Sequence, residues 1–400
     1  MKKNDSHRRQ RSAAILILAA TVLWQPAAWP EEDPFDRLDN LLDDNFDTID
    51  ATLEERYRKI DAAMESAYQA LGKKVEATWG KDDVELPSRK AWVDYSTDMQ
   101  TRRIMDFETG TLTIEHVIDI TEGADEIIAE LAKAAREAST DTESDLAGKD
   151  QAMTMARETL AREGIELPPP SPERDTPVLA NVADAPPPAE IRVAVDNAMK
   201  QGTTQKKITI KVPFRPGYAN TLAERYIGDV SEQAEKEDLP PSLILAVMET
   251  ESSFNPRATS GVPAYGLMQL VPSSGAMDAY EYLFGEKQLV DPEYLYQPSQ
   301  NVELGAAYLS ILDNRYLRAI NDPESRELCA IAAYNTGAGN VARSFTGTTN
   351  VREAAGIINS MSPAEVYNHL RENLPYEETR NYVLKVTEAK KKYSAYDGGR

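Results

Sequence analysis

The chain has 400 residues and is acidic, with 66 Asp and Glu against 44 Lys and Arg and a net charge of −22. That charge argues against a protein that binds duplex nucleic acid, because phosphate binding needs dense lysine and arginine. Its single cysteine excludes an intramolecular disulfide, and three scattered histidines argue against a histidine-built metal site or a Ser-His-Asp triad. We therefore expect no metal and no cofactor, and any catalysis should depend on carboxyl and hydroxyl groups.

Residues 1–30 have the pattern of an export signal. Five basic residues precede an apolar run over 13–24, which has signal-peptide length and is short for a membrane span. A proline and a tryptophan flank the best cleavage site, 27–28, so an uncleaved N-terminal anchor stays open as an alternative. The segment has no cysteine that could carry a lipid. We predict an exported bacterial protein, either soluble or membrane-tethered, that is not a lipoprotein.

A long amphipathic helix is predicted over 35–71, where apolar side chains recur every three or four residues and the other faces are mostly acidic. Such a helix either packs on its own chain or associates with a partner protein or a second copy as a coiled coil. Heptad spacing alone does not specify a partner, so packing within the chain is the favoured interpretation.

Period-two patterns predict a small sheet in the same region. Residues 102–107 and 111–118 flank a short turn and read as a β-hairpin, and the alternating segment 206–212 is expected to return to that sheet as a further strand. The intervening residues predict helices and a proline-rich loop over 166–190. Together these elements predict an α+β N-terminal domain over 31–215.

Residues 216–400 are predicted to form an all-α domain. Within it, the run Leu243–Met248 is apolar on every face and should be buried. Two acids, Glu249 and Glu251, follow that run, and we expect Pro256 to stop the helix. A carboxyl at the end of a buried helix is partly desolvated, which raises its pKa and suits a general acid. Because they are two residues apart, Glu249 and Glu251 should point to roughly opposite faces of the helix. Their spacing alone favours two ordinary solvated glutamates at a helix end.

Two further stretches, Gly266-Leu267-Met268-Gln269 and Ala333-Tyr334-Asn335, favour a catalytic glutamate over a solvated one. Each stretch is a weak signal alone. Together with the acid segment and a segment near the C-terminus, they resemble, in the same order, the four motifs of family-1 lytic transglycosylases. The matching stretches are Glu251-Ser252 with Phe254-Asn255-Pro256, Ser260, Gly266-Leu267-Met268-Gln269, Ala333-Tyr334-Asn335 and Glu378-Thr379-Arg380-Asn381-Tyr382-Val383. A closer resemblance, to one membrane-bound branch of this family, rests on Asn321 to Arg326, Trp79-Gly80, Ser88-Arg89-Lys90 and Phe107 to Gly110.

The resemblance implies a lysozyme-like all-α fold for the C-terminal domain and an enzyme that cleaves peptidoglycan glycan strands. It makes Glu251 the single catalytic acid/base. It places six further residues in the glycan cleft, namely Ser260, Gln269, Tyr334, Asn335, Glu378 and Tyr382. Two departures matter: the branch's lipid-anchoring cysteine is missing, and Val271 stands where some members have a cleft methionine.

With one carboxyl, the expected reaction is a non-hydrolytic cleavage between the muramic sugar and N-acetylglucosamine that leaves a 1,6-anhydro end. Two alternatives stay open at this point. A lysozyme-like hydrolase on the same fold would need a second carboxylate, for which Glu378 is the remote candidate. A non-catalytic wall-binding scaffold would use the fold without turnover.

Overall fold

The computed structural model describes residues 34–119, 122–170, 174–201, 207–260 and 263–399. The predicted export signal lies outside these residues. Two compact units are distinguished, Met1–Thr52 and Leu53–Arg400. The sheet, the cores and the ion pairs described belong to the second unit, and one long helix begins in the first. Each helix in the described part of the chain is too short or too polar to cross a bilayer.

The chain is mainly helical with one small sheet. The strands are β1 (Ala91–Tyr95), β2 (Thr101–Asp106), β3 (Thr111–Val117) and β4 (Lys207–Pro213). The first helices are α1 (Pro34–Trp79), α2 (Ala124–Thr140), α3 (Glu143–Lys149), α4 (Gln151–Arg162) and α5 (Pro188–Gln201). The later helices are α6 (Tyr218–Glu224), α7 (Ile227–Glu237), α8 (Pro241–Ser252), α9 (Gly275–Phe284), α10 (Pro292–Leu295), α11 (Pro298–Ile311), α12 (Pro323–Thr336), α13 (Ala338–Thr346), α14 (Val351–Ile358), α15 (Pro363–Asn373) and α16 (Glu377–Lys392).

The four strands form one antiparallel sheet in the order β1-β2-β3-β4. The predicted hairpin is confirmed, and the late strand β4 pairs with β3 along its whole length, as expected. At the hairpin turn Gly110 has a φ of +67°, and a Cβ atom there would lie 2.5 Å from the Tyr218 ring. Glycine is thus needed both for the turn and for the close approach of the hairpin to α6.

The proline-rich segment before α5 is a loop, but it is not a free linker. It places Val178, Leu179 and Val182 in the same hydrophobic core as the sheet and α8. Its backbone is also paired, since Val178 donates its N–H to the Asp141 carbonyl and Arg215 donates to that of Val182. The proline content therefore reflects an irregular path over a packed surface rather than a hinge.

From residue 53 onward α1 packs on its own chain. Ile60, Met64 and Ala67 are buried in a cluster that also contains Met153 of α4 and Tyr265 of a C-terminal loop. This is the packed alternative of the two considered for the amphipathic pattern. Partner binding through the helix stays a prediction.

Helix α8 runs through the core, and every residue from Leu243 to Met248 is at most 2% exposed. The expectation that Pro256 stops this helix is wrong, because α8 ends at Ser252. Ser253 and Phe254 both have positive φ values, and the Phe254 N–H donates to the Ser252 hydroxyl. A left-handed cap secured by a hydroxyl therefore ends the helix before the proline is reached.

A buried arginine follows this cap. The Arg257 guanidinium lies 2.8 Å from the Asp150 carboxylate and 3.4 Å from that of Glu293, and it covers the ring of Tyr296. All three ionised side chains are at most 5% exposed. Arg257, which directly follows Pro256, thereby joins the N-terminal end of α4 to α10.

Candidate active site

Glu251 occupies the last turn of α8 and is 5% exposed. Its Oε2 atom lies 3.8 Å from Nη1 of Arg89, a residue of the turn before β1. The Tyr382 hydroxyl of α16 faces the same carboxyl and favours its charged form. The two groups are not aligned as a formed hydrogen bond. The buried acid thus lies beside a cation and a phenol.

Burial raises the pKa of Glu251 to about 7, because a carboxylate loses its hydration when it is removed from water. The Tyr382 hydroxyl and then the Arg89 charge act in the opposite direction, and Glu378 adds a smaller upward push. Desolvation is the largest of these effects. The result is a carboxylic acid that is half protonated near neutral pH, which is the property a general acid needs.

Glu249 is separated from this site. Its carboxylate accepts a hydrogen bond of 2.7 Å from Lys392 on the other side of α8. The two acids therefore have different partners, as their two-residue spacing predicted.

Gln269 lies in a tight turn beside the site. Its amide nitrogen donates to the carbonyls of Ala258 and Gly266, both at 3.1 Å, so this group holds the turn together. Its Oε1 atom is buried and has no hydrogen-bond partner among the described residues. The amide nitrogen is thereby engaged, whereas the buried amide oxygen keeps its lone pairs free.

Tyr334 and Asn335 end α12 next to the acid, and both side chains are already engaged. The Tyr334 hydroxyl donates to the Met268 carbonyl at 2.8 Å, and Asn335 Oδ1 accepts a 2.7 Å hydrogen bond from Thr379. Burial raises the pKa of Tyr334, and the charge of the nearby Glu251 raises it further. The Tyr334 phenol, which the resemblance places in the glycan cleft, thus fastens α12 to the Gln269 turn.

The remaining predicted residues are placed at different depths. Glu378 begins α16, is 69% exposed and lies 3.6 Å from Nη2 of Arg89. Ser260 lines a cavity of about 550 Å³ together with Arg89 and Tyr265. Tyr382, Tyr334 and Glu378 thus lie near Glu251, and the cavity lined by Ser260 adjoins this group through Arg89.

Two residues of the site were missed as such in the sequence. Arg89 was noted only as part of a motif, because nothing local links it to an acid 162 positions later. Asn301 was not assigned to the site, and it is fully buried inside α11. Its side chain accepts from the Met268 N–H and donates to the carbonyls of Tyr265 and Leu295. It therefore organises the turn that carries Gln269.

We expect Asn301→Ala to destabilise the protein by about 3 kcal/mol, because three buried backbone groups lose their partner at once. Chemical denaturation of the variant would measure this. Asn314→Ala, which changes an exposed asparagine just after the same helix, is the control and should cost less than about 0.5 kcal/mol. Equal stability of the two variants would contradict this account of the turn.

Comparison with known proteins agrees with this arrangement. A family model described as the transglycosylase SLT domain matches residues 229–355. A second model, the N-terminal domain of membrane-bound lytic murein transglycosylase C, matches residues 57–143. Membrane-bound lytic murein transglycosylase C of Serratia proteamaculans is 33% identical over 324 residues, covering 80% of this chain and 86% of the relative. The chain belongs to the lytic murein transglycosylase C family. This is the branch indicated by the N-terminal motifs, and the predicted fold class is confirmed with it: a lysozyme-like helical region preceded by an α+β region.

Solved structures of lytic transglycosylases are also similar, at lower identity. An inactive mutant of lytic transglycosylase Slt from Pseudomonas aeruginosa is 23% identical, with a TM-score of 0.33 over 68% of this chain and 34% of that one. The 70-kDa soluble lytic transglycosylase from Escherichia coli is 18% identical, with a TM-score of 0.34 over 69% of this chain and 45% of that one. This chain therefore spans less than half the length of each of these two solved chains.

Proposed function

We propose that this lytic murein transglycosylase cleaves the β-1,4 bond between N-acetylmuramic acid and N-acetylglucosamine with Glu251 as its single acid/base. The observation that carries the proposal is the setting of Glu251: buried at the end of an apolar helix, with a pKa of about 7, and 3.8 Å from Arg89, which lines the groove. An acid that keeps its proton near neutral pH can protonate a leaving glycosidic oxygen.

The reaction then proceeds in two proton transfers. Protonated Glu251 donates its proton to the glycosidic oxygen, the bond from that oxygen to C1 of the muramic sugar breaks, and C1 gains oxocarbenium character. The Glu251 carboxylate next accepts the proton of the same sugar's C6 hydroxyl, whose oxygen bonds to C1. The product is a 1,6-anhydro sugar, no water is consumed, and Glu251 is protonated again. The tethered hydroxyl has the advantage of proximity over water.

The other residues are assigned supporting roles. Tyr382 faces Glu251 and stabilises its carboxylate between the two proton transfers. The unpartnered Oε1 of Gln269 accepts a hydrogen bond from the glycan, and Ser260 lines the groove farther out. Tyr334 and Asn335 shape the inner wall, the first through its hydrogen bond to Met268 and the second through Thr379. Glu378 lies at the rim near the reacting sugar.

A hydrolase would need a second carboxylate to hold a water molecule. Glu378 is the carboxyl nearest to that role because Arg89 contacts both acids, but its high exposure suits a rim position better. A non-catalytic scaffold would not need a buried acid with an elevated pKa. We place the enzyme at the cell envelope, exported to the periplasm and tethered, if at all, through its N-terminus.

The test is digestion of purified peptidoglycan sacculi in water enriched in oxygen-18. We expect muropeptides that end in anhydromuramic acid, lighter by one water than hydrolysed ends and free of the label. Reducing ends that carry the label would assign the enzyme to the hydrolases. Glu251→Gln serves as the control and should release neither product. Cleavage by that variant would contradict the role given to Glu251.

A further inference from the structure

Arg89 brings the N-terminal region into contact with the acid of the helical region. Its guanidinium lies between two carboxyls on different helices, 3.8 Å from Glu251 of α8 and 3.6 Å from Glu378 of α16. At these separations it acts through its charge rather than through short hydrogen bonds. The neighbouring cation, Lys90, is bound to Glu108 at 2.7 Å and does not take this place.

The turn that carries Arg89 is fixed from the helical side. The buried Asn255 side chain donates to the carbonyls of Ser88 and Arg89, both at 3.3 Å. Within the turn, the Ser88 N–H donates to the Ala91 carbonyl, and the Ala91 N–H donates to the Ser88 hydroxyl. Asn255 lies four residues after Glu251. One short segment therefore supplies both the acid and the side chain that holds the Arg89 turn in place.

We propose that Arg89 is a positioning residue for Glu251: the turn before β1 supplies the positive charge that holds the catalytic carboxyl in place. The inference rests on the proposed role of Glu251. The match to the SLT family model begins only at residue 229, so Arg89 lies outside that domain. The proposal therefore gives the N-terminal region a part in the chemistry.

The direction of the effect follows from the groups that face Glu251. They are Arg89 and Lys90 from the turn before β1, Glu378 and Tyr382 from α16, and Tyr334 from α12. The cations lower the pKa of Glu251, and Arg89 contributes more than Lys90. Loss of Arg89 therefore raises that pKa further, which weakens the acid and moves the alkaline limb of activity upward. Because Arg89 is 41% exposed, we expect a shift of roughly half to one pH unit.

The experiment compares Arg89→Gln and Arg89→Lys with wild type in full pH profiles of kcat and kcat/KM. Arg89→Gln should move the alkaline limb upward and lower kcat several-fold at its plateau, and Arg89→Lys should restore most of both. Arg215→Ala is the matched control, because it removes one positive charge from a similarly exposed pair with Asp184. It should leave the profile unchanged. A higher KM with an unmoved limb in Arg89→Gln would show a substrate contact and overturn the proposal.

A second measurement does not depend on turnover. Carbon-13 NMR of labelled glutamate carboxyls, taken as the difference between each protein and its Glu251→Gln partner, reports the titration of Glu251 alone. We expect the titration midpoint of Glu251 to be higher in Arg89→Gln. We expect the same in Asn255→Ala, because the turn that carries Arg89 loses its hydrogen bonds to Asn255. Unchanged midpoints in a folded protein would overturn the proposal even if anhydro products are formed. Shifted midpoints would support it even if the cleavage assignment failed.

Discussion

Glu251→Gln is expected to lower the turnover of sacculi by at least about 10³-fold, since one side chain performs both proton transfers. Binding of glycan strands should be retained, because the amide has nearly the same shape as the acid. Initial rates of muropeptide release and co-sedimentation with sacculi would measure the two effects separately. A variant that keeps wild-type turnover would remove Glu251 from the mechanism.

The same substitution should stabilise the protein at alkaline pH. The folded-state pKa of Glu251 is raised from 4.5 to about 7, so the native state retains a proton that the unfolded chain releases. Wild type therefore loses stability as the pH rises from about 4.5 to about 7, and the loss is complete above that range. Glutamine does not titrate, so the variant should gain up to about 3 kcal/mol at pH 8 and almost none at pH 4.

Denaturant unfolding at pH 4 and pH 8 tests this sign. Glu249→Gln is the matched control, since it changes an acid on the same helical turn that pairs with Lys392. It should lose about 1 kcal/mol or less and keep its activity. If the pH dependence of Glu251→Gln equals that of wild type, the carboxyl is not desolvated in the folded state.

Arg257→Ala is expected to destabilise the protein by about 3–5 kcal/mol, because it removes the cation that pairs with the buried carboxylate of Asp150 and leaves the buried Glu293 with only the partly exposed Arg157. The stacking contact with Tyr296 is lost as well. Arg257→Lys should recover only part of the loss, since an ammonium group cannot span both acids and cover the ring. The midpoint of chemical unfolding is the measurement.

The control for this site is Arg157→Ala. Arg157 lies 3.0 Å from the same Glu293 but is 26% exposed. Its removal leaves Arg257 in place, so the cost should be near 1 kcal/mol. Equal losses for the two arginines would mean that burial does not decide the energy of this network.

The sequence predicted the elements whose signal is local. Period-two alternation predicted both arms of the hairpin and β4, and the all-apolar run predicted the buried course of α8, because burial acts on each of these residues in the same way. Family motifs brought Glu251 together with Tyr382 and Tyr334. The end of α8 was misplaced because a serine hydroxyl stops the helix before the proline does.

The missed contacts join distant residues. The roles of Asn301 and Arg89 depend on partners 33 and 162 positions away, which spacing along the chain does not reveal. The engaged hydroxyl of Tyr334 is a similar case, since its partner is a backbone carbonyl that any sequence would supply. Side-chain chemistry indicates what a residue can bond to, but only the fold decides which partner it meets.

The position of β4 determines where this protein can be divided. The recognised N-terminal family segment ends at residue 143, yet the strand that completes its sheet is Lys207–Pro213. A fragment cut at 143 would leave β3 as an edge strand whose alternate amides and carbonyls have lost their β4 partners, a surface that recruits strands from other molecules. Fragments that stop short of Pro213 should therefore aggregate, and dissection of the chain must keep the fourth strand with the first three.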